Sequence, residues 1–478
     1  MVGVQVNAIG QGGRSVAILA LMALGACALT LLGGMAASIV YTSWEPSLRS
    51  SGLTLQHLRP IHESFAFAWV FLGGVTVVHA WLISLGGPFC GAERMRFRAM
   101  IALWLTAGAG IIVSLLAGRF TGREYAGYHP AFGAMILTGW ALFAWNFFAR
   151  AGFSLRGKPV YVWMWTAAIP LFAITFLEAN AYTLEWISRR PLRDIAIQWK
   201  ANGVMVGSFN LLAYGSMMWI AGKMRGNDSY AHSTTGFLLF AVGIINTFTN
   251  YGHHTFHLPQ TAWVHWVSFL VSMIEVILLA KVTIDLWNLR RKAPPAPDLA
   301  VPARFASSVT LWTCLMLASA IAMSVPPVNS LIHGTHIVTA HAMGTMIGID
   351  SMILWCAMSW AARQLAGPAH AAVRDPWMRR AVTALDHLLI VFLTLFAIRG
   401  ASAGLARQLG PSAPDLSRFV AAFPALMVAV GFTFASVALW MVARWMGAFV
   451  RALRTADAEA PPTASEGTPV PDSDRVAV

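Results

Sequence analysis

Long apolar stretches separated by short polar segments run along almost the whole chain. A membrane-spanning helix needs about 20 mostly apolar residues, and this criterion predicts about 12 spans. The predicted spans cover residues 15–41, 61–85, 100–117, 130–148, 160–178, 199–222, 235–254, 262–289, 309–325, 332–362, 381–405 and 419–445. The pattern predicts an all-α integral membrane protein.

The composition agrees with this class. The chain is 57% hydrophobic and only 11% charged, which lies outside the range of soluble globular domains. The net charge of +13 is spread over particular loops and forms no single basic stripe. We therefore expect membrane lipid around the protein and no nucleic-acid partner.

The loop charges predict an orientation. Lys and Arg cluster after the even-numbered spans, which places those loops and both termini in the cytoplasm by the positive-inside rule. The residues are Arg94, Arg96, Arg98, Arg150, Arg156, Lys158, Lys223, Arg225, Arg290, Arg291, Lys292, Arg374, Arg379 and Arg380. A basic group at Arg189, Arg190 and Arg193 is the exception.

One membrane domain, residues 1–451, is predicted, followed by a disordered cytoplasmic tail over residues 452–478. The tail is rich in Pro, Asp, Glu, Ser and Thr and has little to bury. The four cysteines form no CxxC or CxxCH pattern, so no covalently attached haem c is expected.

Four histidines share one level of the predicted bundle. His62 lies in the first turn of the second span, His253 and His254 in the last turn of the seventh, and His341 two to three turns into the tenth. With the predicted topology, all four lie near the outer face. A histidine inside a membrane costs free energy, so such residues usually have a function. Four histidines at one level therefore predict a metal or haem site.

Met343 lies two residues after His341. Residues two apart on a helix point about 200° from each other, so the pair cannot bind one iron. The pair can instead bind two haems on opposite sides of the helix. The alternative is that Met343 is simply one of the 22 methionines and packs in the core.

Five stretches, in their order along the chain, resemble the motifs of one protein family. They are residues 59–62 (Arg-Pro-Ile-His), 122–125 (Gly-Arg-Glu-Tyr), 251–254 (Tyr-Gly-His-His), Glu275 and residues 333–343. They resemble the large, haem b-bearing subunit of nitric oxide reductases, within the haem-copper oxidase superfamily. The fold implied is a bundle like subunit I of that superfamily.

The resemblance implies roles for these residues. It places His62 and Met343 on a low-spin haem b and His341 on a high-spin haem b. It places His253 and His254 on a non-haem metal, expected to be iron. Glu124 would lie near the haem propionates, and His333 would bond a propionate or cap its helix.

Glu275 falls where the family has a buried glutamate after the His-His helix. A lone acid inside a membrane span is typical of a functional group, and a proton-relay role is expected, with a structural role as the alternative.

Three positions depart from the family. Asn202 aligns with the third histidine of the non-haem metal, so it is either a weak amide ligand or a helix cap. Met343 replaces a histidine. Gly127 replaces a second glutamate, which counts against the calcium site that relatives have there.

The function implied is reduction of nitric oxide to nitrous oxide in the bacterial inner membrane, with nitric oxide or a similar diatomic molecule as the bound ligand. The haem site would face the periplasm, and a cytochrome c-type subunit or another donor would supply electrons. Two alternatives stay open: a nitric oxide dismutase, and a catalytically silent haem protein that binds nitric oxide. A transporter would leave the shared level of the histidines unexplained.

Overall fold

The computed structural model describes residues 12–121, 123, 125–190, 207–249, 260–292, 296–412 and 420–458. Within these ranges every regular element is helical. The long helices, numbered in chain order, are α1 (Gly13–Ser38), α2 (Leu55–Gly86), α3 (Gly91–Leu116), α4 (Pro130–Ala151), α5 (Val160–Ala179), α6 (Asn210–Arg225), α7 (Thr234–Thr249), α8 (Ala262–Lys292), α9 (Ala300–Ser324), α10 (His336–Ala366), α11 (Pro376–Leu409) and α12 (Phe423–Ala458).

Short helical turns connect these helices. They are Ile39–Tyr41, Glu45–Ser50, Ala181–Thr183, Glu185–Ser188, Ser229–His232, Pro297–Leu299, Pro326–Ile332, Ala371–Arg374 and Gly410–Ser412.

The predicted all-α membrane class is confirmed. In the part of the chain that the structure describes, ten helices are long and apolar enough to cross a bilayer. The described parts of α6 and α7 are shorter, at 16 residues each. Residues 207–209 precede α6, and α7 ends where the description stops at Thr249. The twelve helices correspond one to one with the predicted spans.

Several helices are longer than their predicted spans. Helix α3 begins at Gly91, not at residue 100, and α9 begins at Ala300, not at residue 309. Hydropathy marks only the part of a helix that is apolar enough for lipid, whereas backbone hydrogen bonding extends a helix through polar residues once it has nucleated.

Helix α12 continues to Ala458, beyond the predicted boundary at residue 451. Residues 459–478 lie outside the described part of the chain. The disordered tail stays a prediction.

Small residues let the central helices approach closely. Helix α1 packs along α2 and α12, and α2 also contacts α6 and α10. A methyl group added to Gly73 would lie 2.7 Å from Leu354 Cδ1, and one added to Gly74 would lie 3.2 Å from Leu212 Cβ. Glycine at these two positions therefore sets the spacing of α2 against α10 and α6.

Helix α10 contains a π-helical segment. It is α-helical over His336–Met343, π-helical over Gly344–Ser351 and α-helical again over Met352–Ala366. Glycine is needed here, because a methyl group on Gly348 would lie 2.6 Å from the Trp312 ring of α9. A π-helix shifts the side-chain register, so the residues after Met343 face differently from those of a continuous α-helix.

A buried carboxylate joins α9 to α11. Asp386 is 2% exposed and accepts hydrogen bonds from Arg304 Nη2 at 2.7 Å, Ser308 Oγ at 2.8 Å and Trp312 Nε1 at 2.9 Å. A buried charge is tolerated when it is paired and hydrogen-bonded in this way. The contacts fix the Trp312 ring that packs on Gly348.

Candidate functional site

His62 is positioned by the start of α2. A capping box between Thr54 and His57 begins the helix at Leu55, and His62 follows two turns later, facing α1. Its Nδ1 donates a hydrogen bond to the backbone carbonyl oxygen of Thr30 at 2.8 Å. A methyl group on Gly34 would lie 2.9 Å from that nitrogen, so α1 needs a glycine where it passes the imidazole.

This hydrogen bond assigns the His62 tautomer. A carbonyl oxygen only accepts, so Nδ1 carries the proton, and in the neutral ring Nε2 keeps its lone pair. Metal-binding histidines show this pattern, in which the second ring nitrogen donates to a carbonyl or carboxylate. The contact therefore leaves the lone pair of His62 Nε2 available to a metal.

The loop after α3 lies against the start of α2. Glu63 pairs with Arg59, and its Oε2 accepts from the backbone N–H of Tyr125 at 3.3 Å. A methyl group on Gly127 would lie 3.1 Å from Pro60 Cβ. The structure thus brings the Arg-Pro-Ile-His stretch and part of the Gly-Arg-Glu-Tyr stretch together, although they are about 60 residues apart.

His341 is oriented from a different helix. Its Nδ1 lies 3.2 Å from Ser319 Oγ of α9. The Ser319 hydroxyl donates its single proton to Met323 Sδ at 3.5 Å. The oxygen is therefore an acceptor toward His341, which puts the imidazole proton on Nδ1 and leaves Nε2 as the available ligand.

Met343 closes the α-helical part of α10, directly before the π-segment, and packs partly buried against the hydrophobic core. His341 and Met343 belong to one regular α-helical stretch, so the opposite directions inferred from their spacing hold. Ligation by Met343 stays a prediction.

His333 lies at the end of the short helix Pro326–Ile332. Its backbone N–H donates to Asn329 O at 2.8 Å, and its carbonyl oxygen accepts from Arg407 Nη1 at 3.0 Å. Arg407 also bonds the carbonyl oxygens of Ser330 and Leu331. This arginine fixes the turn that leads into α10. His333 ends the short helix, whereas Thr335 caps the start of α10, so the expected cap of that helix is not His333. Propionate bonding by His333 stays a prediction.

Glu275 lies near the middle of α8 and faces α7. Its carboxylate accepts a hydrogen bond from Asn246 Nδ2, and the amide oxygen of Asn246 accepts from Ser272 Oγ at 3.4 Å. Asn246 precedes His253 by seven residues in the sequence. The amide therefore holds the carboxylate of Glu275 in place between α7 and α8.

A second buried acid lies deeper in the bundle. Asp350 of the π-segment is 5% exposed. It belongs to α10, whereas Glu275 belongs to α8.

Four predicted site residues, Glu124, Asn202, His253 and His254, lie outside the described residues. Among the residues that are described, no three His, Cys, Asp or Glu side chains group closely enough to hold a metal. The predicted non-haem metal site stays a prediction.

Comparison with known proteins decides the family. A family model described as "Cytochrome C and Quinol oxidase polypeptide I" matches residues 16–457. The chain belongs to this family. Its haem-copper oxidase members bind haems and a non-haem metal, so the protein is a multi-span membrane haem oxidoreductase.

The fold comparison agrees. A solved structure, the cryo-EM structure of a heme-copper terminal oxidase dimer, superposes with a TM-score of 0.64 at 12% identity. The match covers 95% of this chain and 85% of the other. A search of curated sequences gave no significant match.

The residues fit the haems of this oxidase family. His62 and His341 each hold the proton on Nδ1 through a partner on another helix, which leaves Nε2 to bind iron. The sequence analysis missed Thr30 and Ser319 because a partner on a distant helix leaves no spacing signal. Asn246 was missed for the same reason.

Proposed function

We propose that the protein reduces nitric oxide to nitrous oxide with two haem b groups and one non-haem iron. Two nitric oxide molecules, two electrons and two protons give one nitrous oxide and one water. The proposal rests on the motifs shared with nitric oxide reductases. The observation that carries it beyond haem binding is the Glu275 carboxylate, held by Asn246 in mid-membrane.

The proposed metal sites use residues from four of the predicted spans. His62 and Met343 hold the low-spin haem b, and His341 holds the high-spin haem b. His253, His254 and Asn202 hold the non-haem iron. When bound, these groups supply the electrons and the positions at which two nitric oxide molecules meet.

Glu275 has a separate task. Its carboxyl group holds a proton and passes it toward the reacting nitrogen oxides, because formation of water consumes two protons for each turnover. Asn246 orients the carboxylate through its amide N–H, and Ser272 orients Asn246 in turn. An acid on an apolar helix would only destabilise a catalytically silent haem protein, so its presence favours an enzyme.

A second candidate is nitric oxide dismutation, which needs no net electrons. The observation that favours it is Asn202 at the position of a metal-binding histidine, together with Met343, since a thioether ligand raises the potential of the low-spin haem and makes onward electron transfer less downhill. Electrons for the reductase would come from a cytochrome c-type subunit or another donor.

Purified protein with its bound partners separates these functions. We expect about two haems and one non-haem iron per chain. We also expect nitrous oxide formation that depends on an electron donor. Nitric oxide consumption without a donor would support dismutation, and no consumption by fully metallated protein would support a silent haem protein.

Glu275→Gln tests the proton role. We expect nitric oxide turnover to fall about a hundredfold or more with haem content unchanged, because amide replaces the acid. Asp285→Asn is the matched control. Asp285 lies on the same helix and pairs with Lys281, and its loss should leave turnover unchanged. Equal turnover in Glu275→Gln and the control would remove Glu275 from the mechanism.

A further inference from the structure

An apolar crevice opens between α6, α8, α9 and α10, away from the candidate haem site. Met224, Leu286, Val309 and Ile353 are among the side chains that line it, and its volume is about 80 Å³. This volume has room for roughly five water-sized groups in a row or cluster. Thr283 on its wall lies about 12 Å along α8 from Glu275, at 1.5 Å per residue.

Two polar atoms at the crevice have no partner. Thr283 is 3% exposed, and within the described residues neither its Oγ1 nor Arg225 Nε makes a hydrogen bond. Buried donors without acceptors cost free energy, and most in native proteins are satisfied. Both groups can donate, so the missing partner is an acceptor.

The neighbouring acids are already paired. Asp228 accepts from the Tyr161 hydroxyl at 2.8 Å, and Asp285 accepts from Tyr230 at 3.0 Å and from Lys281 at 2.9 Å. In the described part of the chain Arg225 makes no ion pair. The crevice therefore combines an apolar wall with one uncompensated guanidinium at the end of α6.

We propose that this crevice binds an anionic phospholipid, with part of an acyl chain along the apolar wall and the phosphate at Arg225. Apolar walls match the chain, and the planar guanidinium matches phosphate oxygens. Basic pockets between membrane helices bind acidic lipid head groups in this way. The site is distinct from the catalytic centre proposed above and does not depend on it.

Native mass spectrometry of the purified full-length protein tests the proposal. Phosphatidylglycerol and phosphatidylcholine with the same acyl chains are titrated in turn. We expect the first to bind about tenfold more tightly, because its phosphate keeps a net negative charge toward Arg225, whereas the choline cation neutralises the phosphate of the second. Equal affinity for the two lipids would overturn the proposal, and so would preferential binding of the neutral lipid.

Variants locate the site. Arg225→Gln should lower phosphatidylglycerol affinity about tenfold and phosphatidylcholine affinity less, because the choline cation already neutralises the phosphate of the second lipid. Arg225→Lys should keep the attraction between the charges and lose the planar match to the phosphate oxygens, so its affinity should be intermediate. Lys223→Gln is the matched control, since it removes one exposed charge from the same helix end outside the crevice. An equal loss in Lys223→Gln and Arg225→Gln would show general surface attraction and contradict a built site.

Ala221→Leu tests the apolar part. Ala221 lines the crevice. The three carbons that leucine adds should displace the acyl chain, so the affinity for both lipids should fall by the same factor. Thermal unfolding without added lipid checks that each variant is folded. Unchanged binding in folded Ala221→Leu would place the lipid elsewhere.

Discussion

At the scale of single residues, the candidate site is defined by where each imidazole keeps its proton. His62 and His341 lie in different sequence contexts, yet both present Nδ1 to an acceptor on another helix. A backbone carbonyl serves His62, and a serine hydroxyl serves His341. The second arrangement is easier to alter, because a side chain can be removed and a carbonyl cannot.

Ser319→Ala should weaken haem binding at His341. The imidazole loses the acceptor that holds its proton on Nδ1, and loss of such a partner lowers metal affinity about 10–100-fold. Haem content after purification and the iron–histidine vibration of the reduced high-spin haem measure the effect. Ser319→Thr should behave like the natural protein, because it keeps the hydroxyl.

Ser307→Ala is the control for that experiment. Ser307 lies on the same helix, and its hydroxyl bonds only its own backbone at Ala303 O in the described structure. Haem loss in Ser307→Ala as large as in Ser319→Ala would show that α9 is generally sensitive. It would remove the specific role of Ser319.

Met343 makes a spectroscopic prediction. If its sulfur binds the low-spin haem, the oxidised protein has a sulfur-to-iron charge-transfer band, and Met343→His abolishes that band and lowers the haem potential. Met346→Leu, on the adjoining π-segment, should keep the band. A bis-imidazole spectrum in the natural protein would contradict Met343 as ligand.

The sequence predicted the histidines but not what orients them. His62 and His341 carry family motifs, and each motif is local to one helix. Ser319, Asn246 and Thr30 act across helices, and serine or threonine in an apolar helix usually bonds its own backbone. Physical reasoning from one sequence has no signal for such contacts until the helices are placed.

At the scale of helices, the π-segment of α10 is the feature that hydropathy could not predict. The segment contains Asp350 and Ser351, but the helix around it is apolar enough that the predicted span runs through it without a break. Glycines at 344 and 348 were visible, but their meaning depends on the Trp312 and Met316 side chains of α9.

Gly348→Ala should destabilise the protein by about 1–3 kcal/mol, because overpacking a closed contact costs that much. The added methyl group would meet the Trp312 ring, which Asp386 holds in place through Nε1. The temperature of haem loss or of unfolding in detergent measures this.

Gly25→Ala gives the comparison for Gly348→Ala. A methyl group on Gly25 of α1 meets nothing within 4 Å, so this change should leave stability equal or raise it. A comparable loss in both variants would mean that packing against Trp312 is not the cause.

At the scale of the whole molecule, the order of helices and the family agree, whereas the orientation in the membrane rests on loop charges alone. Ten described spans and a matched family fix a multi-span protein. The prediction that the haem site faces the periplasm depends on the Lys and Arg residues in the loops after the even-numbered helices.

Cys90 offers a direct test of orientation. It is an exposed cysteine in the loop between α2 and α3, which the charges place in the cytoplasm. In a Cys314→Ser background, a membrane-impermeant maleimide should label Cys90 only after the membrane is opened. Glu185→Cys, at an exposed position between α5 and α6, should be labelled in intact cells. The reverse labelling pattern would show that the protein has the opposite orientation, with the proposed haem site on the cytoplasmic side.

The contact between His62 and Thr30 has a consequence for biogenesis. Both residues belong to neighbouring helices that leave the ribosome before α9 and α10, so this imidazole has its partner before Ser319 and His341 are made. Ser319 and His341 meet only later in translation. The two histidines therefore gain their partners at different times, and in the proposed arrangement the low-spin haem can be loaded before the high-spin haem.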